Sequence, residues 1–126
     1  MNRAILSGLV KGDPVTFGEG TSQSARFTVV TSVSWKANGK SGVRTDYHNI
    51  VVWGQRATDI MSLVKDGDTV IVDGELRNSS YTDPKTDTKK WKTEIVITQG
   101  NGSVELMGTN ETADVPAEAA TEEFKL

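Results

Sequence analysis

Thr45-Asp46-Tyr47-His48-Asn49-Ile50-Val51-Val52-Trp53-Gly54 is the stretch on which the fold turns. Its side chains alternate. In an extended strand Tyr47, Asn49, Val51 and Trp53 fall on one face, and His48, Ile50 and Val52 fall on the other. An aliphatic face is what a β-barrel core takes in. The opposite face presents two rings and an amide, a costly surface to leave bare in water unless something stacks there.

Working outward, the flanks read mostly as strands. Ala4 to Lys11 is a first strand with Gly8 as a bulge or bend, ended by Gly12-Asp13-Pro14. A loop of turn formers over 18–24 leads to a second strand, Arg26 to Trp35, with Phe27, Val29, Thr31 and Val33 on one face. Lys36 to Arg44 is a basic loop with a hairpin signal at Asn38-Gly39, and it runs straight into the Tyr47–Trp53 strand. After Gly54 the period changes. Ala57, Ile60, Met61 and Val64 make the stripe of one short helix, with Leu63 alongside and Gly67 as its stop. Thr69 to Arg77 is a fourth strand, with Gly74 where the sheet coils or bulges. Asn78 to Lys90 is a long polar excursion, and Trp91 to Thr98 returns as a fifth strand with Trp91, Thr93, Ile95 and Ile97 on one face. Ser103 to Met107 closes the body after a turn at 99–102. From Thr109 the periodicity disappears into Ala, Glu, Thr and Pro, which reads as a disordered tail.

Composition sets limits. A chain of 126 residues suffices for one domain with a real core. It has no cysteine and one histidine, which excludes disulfides and thiolate chemistry and disfavours zinc. The start lacks the apolar run of a signal peptide and no stretch reaches transmembrane length, so no membrane partner and a cytoplasmic location are expected. The net charge of −3 hides a division. Residues 1–108 carry 13 Lys+Arg against 12 Asp+Glu, whereas 109–126 hold one lysine and five acids. The pI is therefore a poor guide to what the body binds.

Five strands, one helix and long hairpin loops predict an all-β OB-fold over 1–108, a five-stranded Greek-key barrel with one short helix, followed by a disordered acidic tail over 109–126. An SH3-like barrel would leave the helix at 55–66 unexplained. Catalytic machinery is not evident: Asp66 and Asp68 read as turn residues around Gly67, and Asp83 and Asp87 lie in a lysine-rich loop. No phosphate-binding glycine loop occurs. No catalytic residues, metal site or cofactor are expected.

The chain resembles the bacterial and phage single-stranded DNA-binding (SSB) family. The resemblance rests on Asn2-Arg3-Ala4-Ile5-Leu6-Ser7-Gly8-Leu9-Val10-Lys11-Gly12-Asp13-Pro14, Ser34-Trp35-Lys36, Tyr47-His48, Val51-Val52-Trp53-Gly54, Gly74-Glu75-Leu76-Arg77, Tyr81-Thr82-Asp83 and Thr93-Glu94-Ile95-Val96. These motifs cover 1–108 in the family order. The resemblance implies sequence-tolerant, ATP-independent binding of single-stranded DNA in replication, recombination and repair, in the cytoplasm of a bacterium or of a phage's host. It places base stacking on Trp35, Tyr47, Trp53 and Tyr81, and a contact of a homotetramer at His48. It also implies docking of replication or repair proteins by the tail, through Glu122, Glu123, Phe124 and Leu126. The family's tail ends in aspartates and Ile-Pro-Phe; here Glu122-Glu123-Phe124-Lys125-Leu126 stands instead.

The residues supply a mechanism for such binding. Every base has a π face, so stacking is worth roughly 1–3 kcal/mol per base regardless of sequence. Phosphates add counterion release to each basic contact. Candidates are Arg3, Lys11, Lys36, Lys40, Arg44, Arg56, Arg77, Lys85, Lys89, Lys90 and Lys92, with Lys36, Arg77 and Lys89 closest in sequence to the rings. Trp91 is read as packing or loop support. Against this stands an adaptor OB protein whose rings are buried between subunits and whose affinity for single strands is negligible.

Overall fold

The computed structural model describes residues 1–19, 22–98 and 100–108, and at Met61 the backbone alone. The proposed tail, the Gly20-Thr21 part of the first loop, Gln99 of the last turn and the Met61 side chain of the helical stripe lie outside the described residues. The elements are β1 (Ala4–Phe17), β2 (Ser24–Ala37), β3 (Lys40–Trp53), α1 (Arg56–Leu63), β4 (Thr69–Asp83), β5 (Thr88–Ile97) and β6 (Ser103–Gly108). The sheet order is β1-β2-β3-β5-β4-β6, and a further β1–β4 pairing closes the barrel. This is the OB-fold, with β3 and β5 parallel and β6 added on the edge of β4 that β5 also uses.

Closure depends on strands that change partners. β1 pairs with β4 from Ala4 to Leu9, then with β2 from Leu9 to Phe17. Gly8 sits at that change. Of the bulge or bend read from the sequence, the bulge is excluded, because the ladder from Gly8 to Val70 is regular; a Cβ there would lie 2.2 Å from the Val30 carbonyl oxygen. Gly74 marks the matching change on β4, from Ala4 on β1 to the β5 ladder that starts at Glu75. The expected strand end at Gly12-Asp13-Pro14 is instead the irregularity in β1, between Lys11 and Val15, after which pairing with β2 resumes. Asp13 and Asp66 hold it from opposite sides: Gly12 N–H donates to Asp66 Oδ1 at 2.6 Å, and Asp66 N–H donates to Asp13 Oδ1 at 2.9 Å.

The core takes Val10, Phe27, Val29, Ile50, Val52, Val70, Val72, Ile95 and Ile97 from the inner faces of the strands. Each such apolar side chain contributes about 1.5–3 kcal/mol when removed from water. Ala57, Ile60 and Val64 plug one end from α1, as the stripe predicts, while Leu63 is exposed. The helix ends at Val64, which is already extended; Gly67 belongs to the following turn, where its N–H donates to the Val10 carbonyl at 2.8 Å.

The hairpins are longer than the barrel. Lys36 to Arg44 is no loop: β2 and β3 remain paired from Ser24↔Trp53 out to Ala37↔Lys40, with Asn38 (φ 53) and Gly39 (φ 75) as the two-residue turn. The polar excursion after Asn78 is likewise the ladder of β4 and β5, paired out to Asp83↔Thr88. Both hairpins therefore leave the barrel as ribbons with two solvent faces.

Candidate nucleic-acid interface

Cross-strand pairs share a face, so the register lays out the barrel's outer surface in rows. One row is Phe17–Ser24–Trp53. The next is Val15–Arg26–Val51–Val96–Glu75, followed by Lys11–Thr28–Asn49–Glu94–Arg77 and by Leu9–Val30–Tyr47. Tyr47, Asn49, Val51 and Trp53 do share this face. Val51 is nonetheless buried against its neighbour Val96, outside the main core. Tyr81 lies opposite Lys90 with the parity of Arg77 and Ser79, so it continues the outer face along the β4–β5 ribbon.

Cations reach across strands to this surface. The Lys11 ammonium lies 4.9 Å from the centroid of the Tyr47 ring, spanning β2. Arg26 donates to Glu94 at 2.7 Å, spanning β3. A concavity of about 740 Å³ beside Tyr47, bordered by Lys11, Asn49 and Asp66, occupies the middle of the face.

Trp35 is on the other side. Its partner is Gly42, and a Cβ on Gly42 would fall 2.7 Å from the indole Cζ2. The ring thus lies flat on a backbone that only glycine leaves bare, with 45% of the residue exposed. His48 shares this side, half-buried, with its Nε2 2.8 Å from Thr31 Oγ1. Trp91 has the parity of Ile95, and the sequence reads it as packing or loop support. The structure corrects the first of these: β5 has left the barrel by residue 91, Trp91 is 67% exposed, and its neighbour within the ribbon is Lys89, 5.0 Å from the ring centroid. Phe17, with Arg26 at 5.8 Å, is a further ring that the sequence reading did not single out. An alternation of basic residue and ring, Lys89-x-Trp91, was the available signal for the first. The apparent stop at Pro14 concealed the second.

The basic candidates divide by their partners. Arg3 Nε donates to both carboxylate oxygens of Asp73 and Nη2 donates to Oδ2; these hydrogen bonds hold the carboxyl of Asp73 below its usual range and raise the guanidinium of Arg3. Arg56 donates to the carbonyls of Gly102 at 2.7 Å and Thr98 at 3.4 Å, tying the helix start to the β5–β6 turn. Arg44, Arg77, Lys90 and Lys92 face Asp46, Glu75, Asp83 and Glu94. Among the described residues no ion pair engages Lys11, Lys36, Lys40, Lys85 or Lys89. Nor is any group of three or more His, Asp or Glu side chains among them placed to hold a metal ion.

The model of the single-strand binding protein family matches residues 1–107. The chain belongs to that family. Single-stranded DNA-binding protein 1 of Chlorobaculum tepidum is 32% identical over 122 residues, which span 95% of this chain and 73% of that protein. Among solved structures, the Plasmodium falciparum SSB complex with ssDNA superposes with a TM-score of 0.78 at 27% identity, covering 85% of this chain and 95% of that one.

Proposed function

We propose that the protein binds single-stranded DNA without sequence preference and without catalysis, by stacking bases on Trp35, Tyr47, Trp53 and Tyr81. The observation that carries this reading is the continuous outer face from Trp53 through Asn49 and Tyr47 to Tyr81, with exposed rings and Lys11 poised against one of them. Family membership and the ssDNA complex of the Plasmodium relative support it. Phosphates are met first by Lys11, Lys36, Lys40, Lys85 and Lys89, whose ammonium groups have no carboxylate to give up among the described residues. Arg44, Arg77, Lys90 and Lys92 must exchange a carboxylate for a phosphate, while Arg3 and Arg56 serve mainly to hold the barrel together.

The protein works as a homo-oligomer, a tetramer by family resemblance, with the His48 face at a subunit contact. Its setting is DNA replication, recombination and repair in the cytoplasm, where the 109–126 segment with Glu122, Glu123, Phe124 and Leu126 docks partner proteins. Titration with oligo(dT) tests the central reading: tryptophan fluorescence is quenched at low salt and recovers as salt rises. Absence of quenching at low salt overturns it and favours an adaptor with rings closed off between subunits. Light scattering alongside gives the oligomeric state.

A further inference from the structure

One exposed ring of the outer face has no role in the stacking set above. Phe17 ends β1 and is 53% exposed. Its row, Phe17–Ser24–Trp53, sets it two strand spacings from Trp53, about 10 Å in a pleated sheet, with both residues on the outer face and β2 between them. The barrel does not need this ring, since Ala25 and Phe27 fill the core from the inner face of β2. What contacts the ring is a cation: the Arg26 guanidinium, 5.8 Å from its centroid and fixed in place by Glu94. A concavity of about 430 Å³ opens beside Phe17 and Arg26 and runs to Lys92. It shares Lys11, Asp13, Thr28 and Asn49 with the larger concavity at Tyr47, so the two form one trough.

We propose that Phe17 is a further base-stacking position, over which single-stranded DNA continues from Trp53 to the β1 edge of the barrel. The occupant is set by the surroundings. A flat ring next to Arg26 and Lys92, which share Glu94 and exchange it for a phosphate, suits a base with its phosphate better than an apolar peptide, and the trough is continuous with the interface already described. The inference rests on the proposed single-strand binding.

A position-specific reporter tests it. In a full-length chain with Trp35, Trp53 and Trp91 each replaced by Phe, which keeps a ring at every site, Phe17→Trp places the sole indole at the position in question. Titration with oligo(dT) carrying a 5′ fluorophore, excited separately, follows binding by anisotropy. Quenching of the indole in step with anisotropy, reversed by salt, is the expected result. In the otherwise unaltered protein, Phe17→Leu weakens binding about 5- to 150-fold, the loss of one stacked base. Binding of the oligonucleotide with an unchanged indole signal, and with Phe17→Leu matching the parent protein, overturns the role of Phe17 alone. Failure of the unaltered protein to bind at low salt overturns this inference together with the function on which it rests.

Discussion

The two ribbons that overhang the barrel are built alike and finished differently. Each carries a tyrosine on the outer face, Tyr47 on β3 and Tyr81 on β4, and a tryptophan on the other, Trp35 on β2 and Trp91 on β5. In the β2–β3 ribbon the tryptophan rests on the bare backbone of Gly42, and the two-residue turn leaves Lys36 and Lys40 without an ion pair among the described residues. In the β4–β5 ribbon the tryptophan faces Ser80, and the turn is closed by its own charges: Lys85 N–H donates to Asp83 Oδ1 at 2.9 Å and the Lys90 ammonium lies 3.0 Å from Asp83 Oδ2. The difference separates two ways of using one alternating pattern. The first ribbon fixes a ring, pairs Arg44 with Asp46 away from its tip and leaves Lys36 and Lys40 at the tip for a ligand; the second spends part of its charge holding its own tip.

The largest test of that contrast is the pre-set ring. Trp35→Leu weakens oligo(dT) binding by about 1–3 kcal/mol, roughly 5- to 150-fold, in an anisotropy titration. Gly42→Ala comes next. Its Cβ would lie under 3 Å from two indole atoms, so the ring must leave its rotamer at a cost of about 0.5–1.5 kcal/mol, or roughly 2- to 10-fold in affinity. Ser80→Ala, the equivalent change beneath Trp91, leaves affinity unchanged. If Gly42→Ala is silent as well, the two rings are not differently held.

Much of this is legible in the sequence. Alternation identified the strands and the shared face of Tyr47 and Trp53, Asn38-Gly39 identified a hairpin, and the 3.6 period identified α1. What the sequence carries is parity; it does not carry where the barrel ends. Trp91 and Ile97 have the same parity on β5, yet one is 67% exposed and the other 1%, because pairing with β3 begins only at Glu94. Phe17 was hidden for a related reason. Gly12-Asp13-Pro14 has the local chemistry of a stop, and only Asp66, far along the chain, turns it into an irregularity within a continuing strand.

Charge gives a smaller effect than the rings. Removing both lysines at the first tip, Lys36→Ala with Lys40→Ala, lowers the slope of log K against log salt by about 1.4, or 0.7 for each phosphate no longer neutralised. Lys90→Ala lowers it by less, because Lys90 neutralises Asp83 in the free protein. Equal changes per lysine would show that the ion pair at the second tip opens without cost on binding.

The smallest effect is confined to the second tip and to acid. The Lys85 backbone N–H, and after it the Lys90 side chain, hold the Asp83 carboxyl below its ordinary range. A carboxyl with a lowered folded-state pKa contributes its full stabilisation above the unfolded value, about 3.9, and loses it as pH falls through the folded value. The β4–β5 turn therefore loosens only in strong acid, while the Asn38-Gly39 turn, with no such carboxylate bond at its tip, does not respond. The Lys85 amide proton shift reports this: its titration midpoint falls below that of an ordinary aspartate and vanishes in Asp83→Asn. A midpoint at or above about 3.9 would mean that Asp83 is not gripped by its own turn. Lys90 would then be as available to a phosphate as Lys36, and the distinction between the ribbons would reduce to the seat of Trp35 on Gly42.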